Sequence, residues 1–256
     1  MTTPSTVVLV LLSCTAFVAG MVDAVAGGGG LLTVPALLSA GLPPGLALAT
    51  NKGQAAPGAF ASFVTFFRRG GLDRERAPLG FAFGFIGSLL GARLLLSMRP
   101  EPLRPIVAVL LLVALAVMLL RSHIRVRKAK LVHPKLTLAL VALSLGTYDG
   151  FFGPGVGSLL IVSFVTLFGD TPLLASGNAK VVNLGSNLAA FLLFGLRSAI
   201  LWKVALPMAL ANMAGARLGA RLALRKGDRF VQVVVTVIVL SVVAKLLFDM
   251  FRSARS

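Results

Sequence analysis

Apolar residues fall in long runs, at about 5–22, 28–41, 44–67, 77–97 and 103–120, and again at about 136–150, 157–168, 173–196, 201–222 and 230–248. Roughly 20 consecutive apolar residues carry a helix across the hydrocarbon of a bilayer, and a helix satisfies its own backbone there. Several runs reach that length, so the pattern predicts an all-α, polytopic membrane protein. The runs at 28–41 and 157–168 are too short to span comfortably, and each follows a cluster of glycines. These two are predicted to be broken or re-entrant helices.

The second set of runs copies the first. A shift of 128 residues places Leu31-Leu32 on Leu159-Leu160, Gly41 on Gly169, Lys52 on Lys180, Phe63 on Phe191 and Phe66 on Phe194. The same shift places Gly87 on Gly215 and Gly91-Ala92-Arg93-Leu94 on Gly219-Ala220-Arg221-Leu222. Leucine and glycine match easily by chance in such a chain, but a rare lysine and a Gly-Ala-Arg-Leu tetrad at one unchanged offset do not. The sequence therefore predicts a tandem duplication, residues 1–128 and 129–256, with a basic linker at about 121–135. Internal repeats with glycine-interrupted segments in matching places are a mark of secondary transporters.

Charge orients the halves. The densest cationic stretches are 68–76, with four Lys/Arg, and 121–135, with six; such loops stay cytoplasmic. Four full spans per half would make the halves parallel and leave 225–229 outside. If each short segment is instead half of a folded hairpin, the halves are inverted, and 225–229 falls inside. The charge count leans towards inversion.

Composition narrows the class. The chain is 57% apolar and 13% charged, with a mean hydropathy of +0.94, against roughly 25% charged residues in ordinary soluble domains. A net charge of +17 would suggest nucleic acid in a soluble protein, but here the cations sit in short segments between apolar runs, so nucleic acid is not an expected partner. The lone cysteine, Cys14, lies in the first run and cannot form an intramolecular disulfide. His123 and His133 have no ligand-spaced neighbours, so no metal site is expected. The first residues lack a basic segment, and the run from Val7 reads as a membrane segment rather than a cleaved signal. No phosphate-binding loop and no Ser/His/Asp set is present, so neither enzymatic chemistry nor a cofactor is expected.

Three constellations remain. Asp23 precedes Gly27-Gly28-Gly29-Gly30, and Asp149 precedes Gly153-Pro154-Gly155-Val156-Gly157. Glycine tracts break a helix, and a half-helix starting at about Leu31 or Ser158 would aim its positive end at an anion. The alternative is plain helix packing. The second is Thr50-Asn51-Lys52 with Gln54, matched by Asn178-Ala179-Lys180 with Asn183 and Asn187. Lys52 lies roughly 12 Å into its segment, too deep to snorkel, where a charge costs at least roughly 2.5–3.5 kcal/mol unless it faces a cavity or a partner. Residues 180, 183 and 187 share one helical face. The pattern predicts a cationic, amide-lined anion site near the midplane; its competitor is a pair of structural ion pairs to Asp23 and Asp149. The third, the Gly-Ala-Arg motif, reads as close helix crossing with arginines reaching for headgroups, Arg217 lying deeper.

These motifs resemble the TauE/SafE sulfite exporter family. The stretch from Asp23 through Val34-Pro35, Gly41-Leu42-Pro43 and Thr50-Asn51-Lys52 is similar to the family's first half. Tyr148-Asp149-Gly150-Phe151-Phe152-Gly153-Pro154-Gly155-Val156-Gly157, then Ala175, Asn178-Ala179-Lys180, Asn183 and Asn187, is similar to its second half. The resemblance implies roughly eight transmembrane helices in two repeats and transport of sulfite, sulfonates or related anions. The expectation is then a secondary transporter in the cell inner membrane, with export as the leading direction and uptake left open, since the family is described with members of both kinds. Its substrate-binding set would be Lys52, Lys180, Asn51, Thr50, Asn178, Asn183, Asn187, Gly29, Gly30, Gly155 and Gly157. Asp149 and, second to it, Asp23 are the candidate proton carriers. A passive anion channel and a membrane scaffold are the competing readings, and assembly as a homo-oligomer stays open.

Overall fold

A computed structural model describes residues 5–120 and 132–253, with side chains to residue 227 apart from 104, 115 and 117–120. Most of the basic linker, His123 included, lies outside the described residues. The elements are α1 (Thr6–Ala26), α2 (Gly30–Ser39), α3 (Pro44–Arg68), α4 (Ala77–Ser97), α5 (Pro100–Leu120), α6 (Pro134–Phe151), α7 (Val156–Phe168), α8 (Pro172–Leu196) and α9 (Trp202–Ser253). No strand occurs among the described residues. Among those same residues α1, α4 and α8 are long and apolar enough to cross a membrane alone. The helix α9 is broken at Gly227, where φ is 70° and ψ −162°, which separates the runs expected at 201–222 and 230–248.

Proline sets several helix starts. Pro44, Pro78, Pro134 and Pro172 stand in the first turns of α3, α4, α6 and α8, where a missing N–H costs nothing because no partner exists there. The short helices α2 and α7 have 10 and 13 residues, about 15 and 20 Å of rise, and do not cross roughly 30 Å of hydrocarbon. Each folds back on its predecessor. Leu37 of α2 and Leu42 just after it bury against Leu12 and Ala16 of α1, and Phe164 of α7 buries against Leu138 and Ala142 of α6. Both pairs are therefore hairpins whose turns lie in the middle of the bundle.

The hairpin turns meet. At Gly27 (φ 73°) α1 ends, and a Cβ there would lie 2.1 Å from the carbonyl carbon of Gly157. No side chain fits between the two backbones. This contact solves a problem particular to a helix that ends inside a membrane, whose last carbonyls have no water to bond. Ser176 Oγ donates to the carbonyl of Val25 (3.0 Å), Ser158 Oγ to that of Ala26 (2.8 Å), and the Ser158 N–H to that of Gly27 (3.0 Å).

Around this centre the packing crosses over. The helix α1 lies on α9, and α6 lies on α4. Both crossings use glycine against backbone. A Cβ on Gly215 would sit 1.9 Å from the carbonyl oxygen of Phe17, and one on Gly91 would sit 1.9 Å from that of Thr147. The glycines of both Gly-Ala-Arg motifs thus serve close helix approach, with Gly219 against Met21.

Candidate functional site

The two buried lysines and the two aspartates of the hairpins pair crosswise. Lys52 on α3 lies 2.5 Å from Asp149 on α6, with about 3% of each side chain exposed. Lys180 on α8 lies 2.7 Å from Asp23 on α1; the lysine is fully enclosed, while 29% of the aspartate side chain is exposed. Each half of the chain holds the other half's charge. The pairing that competed with the anion site at the level of sequence is therefore present.

The two pairs differ in surroundings. Asp149 also accepts from Ser186 Oγ, and at 3.4 Å from Asn187 Nδ2, while Lys52 donates to Asn187 Oδ1 at 3.4 Å. Gly153 (φ 97°) leaves the space in which this pair sits: a Cβ there would come 3.0 Å from Lys52 Nζ and 3.2 Å from Asp149 Oδ1. Among the described residues, Asp23 receives only the Gly29 N–H, at 3.3 Å, besides its lysine.

Between the pairs lies a cavity of about 40 Å³. Its lining includes Asp23, Lys52, Asp149, Asn51, Gln54, Asn183 and Asn187, with Gly29, Gly30, Gly155 and Val156 from the starts of the two short helices. At roughly 10–15 Å³ of such space per water, it holds about three waters, close to the bulk of one small oxyanion. Two buried amide oxygens, Gln54 Oε1 and Asn183 Oδ1, have no hydrogen-bond partner. An amide turned about its last bond presents N–H₂ in place of oxygen, so Asn183 can serve an anion, whereas the Gln54 amide is fixed by Nε2 donating to Asn51 Oδ1 (2.8 Å).

Of the residues expected from sequence, Lys52, Asn51, Asn183, Asn187, Gly29, Gly30, Gly155, Asp23 and Asp149 come together here. Lys180 does not line the cavity and stands behind Asp23. Gly157 is taken up in the backbone crossing. Thr50 and Asn178 lie elsewhere: Thr50 Oγ1 accepts from the Leu201 N–H (3.1 Å) and Asn178 Oδ1 from the Asp73 N–H (2.8 Å), so each anchors a loop of the opposite half. The reason is rotational. Residues two apart on a helix point about 200° apart, so Thr50 and Asn178 turn away from the face that carries Lys52 and Lys180. Ser186, Asn212 and Thr33 escaped the sequence reading. Asn212 lines the cavity and donates to the carbonyl of Ala16 (3.2 Å). Thr33 Oγ1 donates to Asn51 Oδ1 (2.6 Å). Thr33 and Asn212 lie on other helices, beyond the i+3, i+7 rule that found Asn183 and Asn187, and Ser186, on α8 itself, falls at i+6, off that spacing.

A second polar cluster closes one end of the bundle. Arg76, just before α4, binds Asp73 (2.5 Å) and Asp170 (2.8 Å) and lies over the rings of Phe164 and Phe168; Asn178 Nδ2 donates to Asp170 (2.7 Å). Burial works against its charge, but the carboxylates of Asp170 and Asp73 hold the Arg76 guanidinium above its ordinary pKa. Burial likewise opposes charge on Asp73, and its hydrogen bonds and proximity to Arg76 outweigh this, holding its carboxyl below the ordinary value. At the other end, the positions 128 residues away from Asp170, Asp73 and Arg76 are Leu42, Leu201 and Val204. They belong to one apolar cluster. One end of the bundle is latched by ions and the other by hydrocarbon.

The chain has relatives along its length. The profile of the sulfite exporter TauE/SafE family matches residues 12–246. A "Probable membrane transporter protein" of Haemophilus influenzae is 39% identical over 243 residues, 94% of this chain and 95% of its own. The Escherichia coli K12 "Probable membrane transporter protein YfcA" is 37% identical over 246 residues, covering 96% and 91%. The "Probable membrane transporter protein ORF9" of a Sinorhizobium species is 38% identical over 244, covering 94% and 93%. No solved structure is significantly similar. With a buried polar centre inside an all-helical bundle and a match across nearly its whole length, this multi-pass membrane protein belongs to the TauE/SafE family.

Proposed function

We propose that the protein is a secondary transporter that carries a small sulfur-containing anion, such as sulfite or an organosulfonate, outward across the cell inner membrane. It would work by alternating access between two inverted repeats, 1–128 and 129–256. The observation that carries this reading is the cavity between the crossed ion pairs, where Lys52 meets two amides and the starts of both short helices. Its size favours sulfite over an aryl sulfonate in this closed form. Inversion is supported by the two hairpins, which open towards opposite ends of the bundle, and by the basic stretches at 68–76 and 217–226, which share one end.

The mechanism follows from charge. An anion that takes Lys52 displaces Asp149, and a buried carboxylate stripped of its cation is costly. A proton on Asp149 removes that cost, so anion and proton enter together, and the sum of their gradients sets the direction. Lys180 and Asp23 hold the scaffold of the site. Alternating access then requires the Arg76–Asp170 latch and the Leu42–Val204 contact to open in turn.

Purified protein tests the reading with a panel of sulfite, sulfate, methanesulfonate, toluenesulfonate and chloride. A bound anion raises the melting temperature with its occupancy, and sulfite should do so most. No shift with any anion would favour the scaffold reading, which the crossed ion pairs otherwise support. In proteoliposomes, Asp149→Asn should retain downhill sulfite exchange and lose accumulation driven by an imposed pH gradient. Wild-type accumulation in that variant would overturn Asp149 as the proton site.

A further inference from the structure

A groove of about 700 Å³ runs along the outside of the bundle between α3 and α9, away from the central cavity. Four arginines line it: Arg68 and Arg69 at the end of α3, and Arg217 and Arg221 on α9. None of the four pairs with a carboxylate among the described residues, whereas Arg76 nearby holds two. The rest of the lining is mainly apolar, and Phe60, Met213 and Leu218 there are exposed. Along both helices the apolar residues precede the arginines, from Phe60 to Arg68 and from Met213 to Arg221, so one end of the groove is cationic and the other hydrocarbon.

The fold itself does not call for these charges. At the positions 128 residues away, Arg68 is answered by Leu196 and Arg217 by Leu89, while Arg69 and Arg221 keep Arg197 and Arg93. The matching surface at the other end of the bundle thus lacks the two added guanidiniums. Arg217 lies a full turn further from the Gly227 break than Arg221, and a charge at that depth needs a counter-charge. Guanidinium groups bind phosphate through paired N–H donors, and an acyl chain fits an apolar wall facing the bilayer. We propose that this groove is a binding site for an anionic phospholipid, with its phosphate among Arg68, Arg217 and Arg221 and an acyl chain along Phe60 and Met213.

The experiment uses the full chain in a neutral detergent, titrated with phosphatidylglycerol, with phosphatidylcholine, and with glycerol phosphate as the soluble anion. Phosphatidylglycerol should raise the melting temperature by several degrees and the other two should not. The rise should vanish in Arg68→Leu/Arg217→Leu, whose leucines are the residues of the matching positions, and persist in Arg93→Leu/Arg197→Leu. An equal rise with phosphatidylcholine, an unchanged rise in the groove variant, or a matching rise with glycerol phosphate would each overturn the proposal. Should the double variant not be isolable, native mass spectrometry of Arg217→Gln decides: retained phosphatidylglycerol should fall several-fold, and an unchanged count overturns the site.

Discussion

Lys52 and Asp149 hold each other where almost no water reaches, and this makes single substitutions there a poor measure of substrate binding. Lys52→Ala leaves the carboxylate buried without its cation, which costs about 3–5 kcal/mol when one partner of such a pair is removed. Lys52→Met with Asp149→Asn removes both charges and should recover most of that loss, while still abolishing stabilisation by sulfite. Thermal melts of the three proteins, with and without sulfite, check both parts. The sequence made Lys52 and Lys180 visible because apolar runs seldom carry a lysine at matched depth. It left Thr50 and Asn178 in the wrong company, since adjacency along the chain outweighed helical rotation. The crossed pairing was not legible, because no local pattern distinguishes an aspartate's partner within its own half from one in the other half. Glycine offers a second test at the same scale. Gly157→Ala would place a Cβ 2.5 Å from the Gly27 Cα, backbone against backbone, whereas Gly45→Ala meets only the Leu103 side chain at 3.6 Å. The first should abolish monodisperse protein in size-exclusion chromatography; the second should leave its elution unchanged.

At the scale of elements, the helix runs were readable to within a few residues, and so were the glycine breaks. The latch between the α3–α4 loop and the start of α8 was not. Asp73 and Arg76 sit in a basic stretch whose charges served topology, and Asp170 is isolated in sequence. Arg76→Ala should weaken closure at that end. With Cys14 replaced by serine and a cysteine placed at the cavity residue Ala55, a membrane-impermeant maleimide applied from that side should label several-fold faster than without the Arg76 change. Labelling at the parental rate would show that the latch does not hold the end shut. The effect has a defined pH signature. Asp73 titrates below its ordinary value and so stays charged as long as pH remains above it; its contribution is lost only as pH falls through that lowered pKa. Arg76, shifted upwards, stays protonated. The thiolate fraction, and with it the labelling rate, rises with pH, but the ratio of rates with and without the Arg76 change should not vary between pH 5.5 and 8, even where transport itself does.

For the molecule as a whole, each half is incomplete in the same way. The first contributes Asp23 and Lys52, the second Asp149 and Lys180, and both salt bridges run between halves. The carbonyls at the end of α1 likewise wait for Ser158 and Ser176. A ribosome delivers these groups in order, so Asp23 and Lys52 are in the bilayer before their partners have been translated. Until α6 and α8 arrive, the nascent first half carries two intramembrane charges and a helix end without the partners they have in the folded chain, and such charges are costly in the bilayer. The polar centre is thus complete only once synthesis has gone past residue 180.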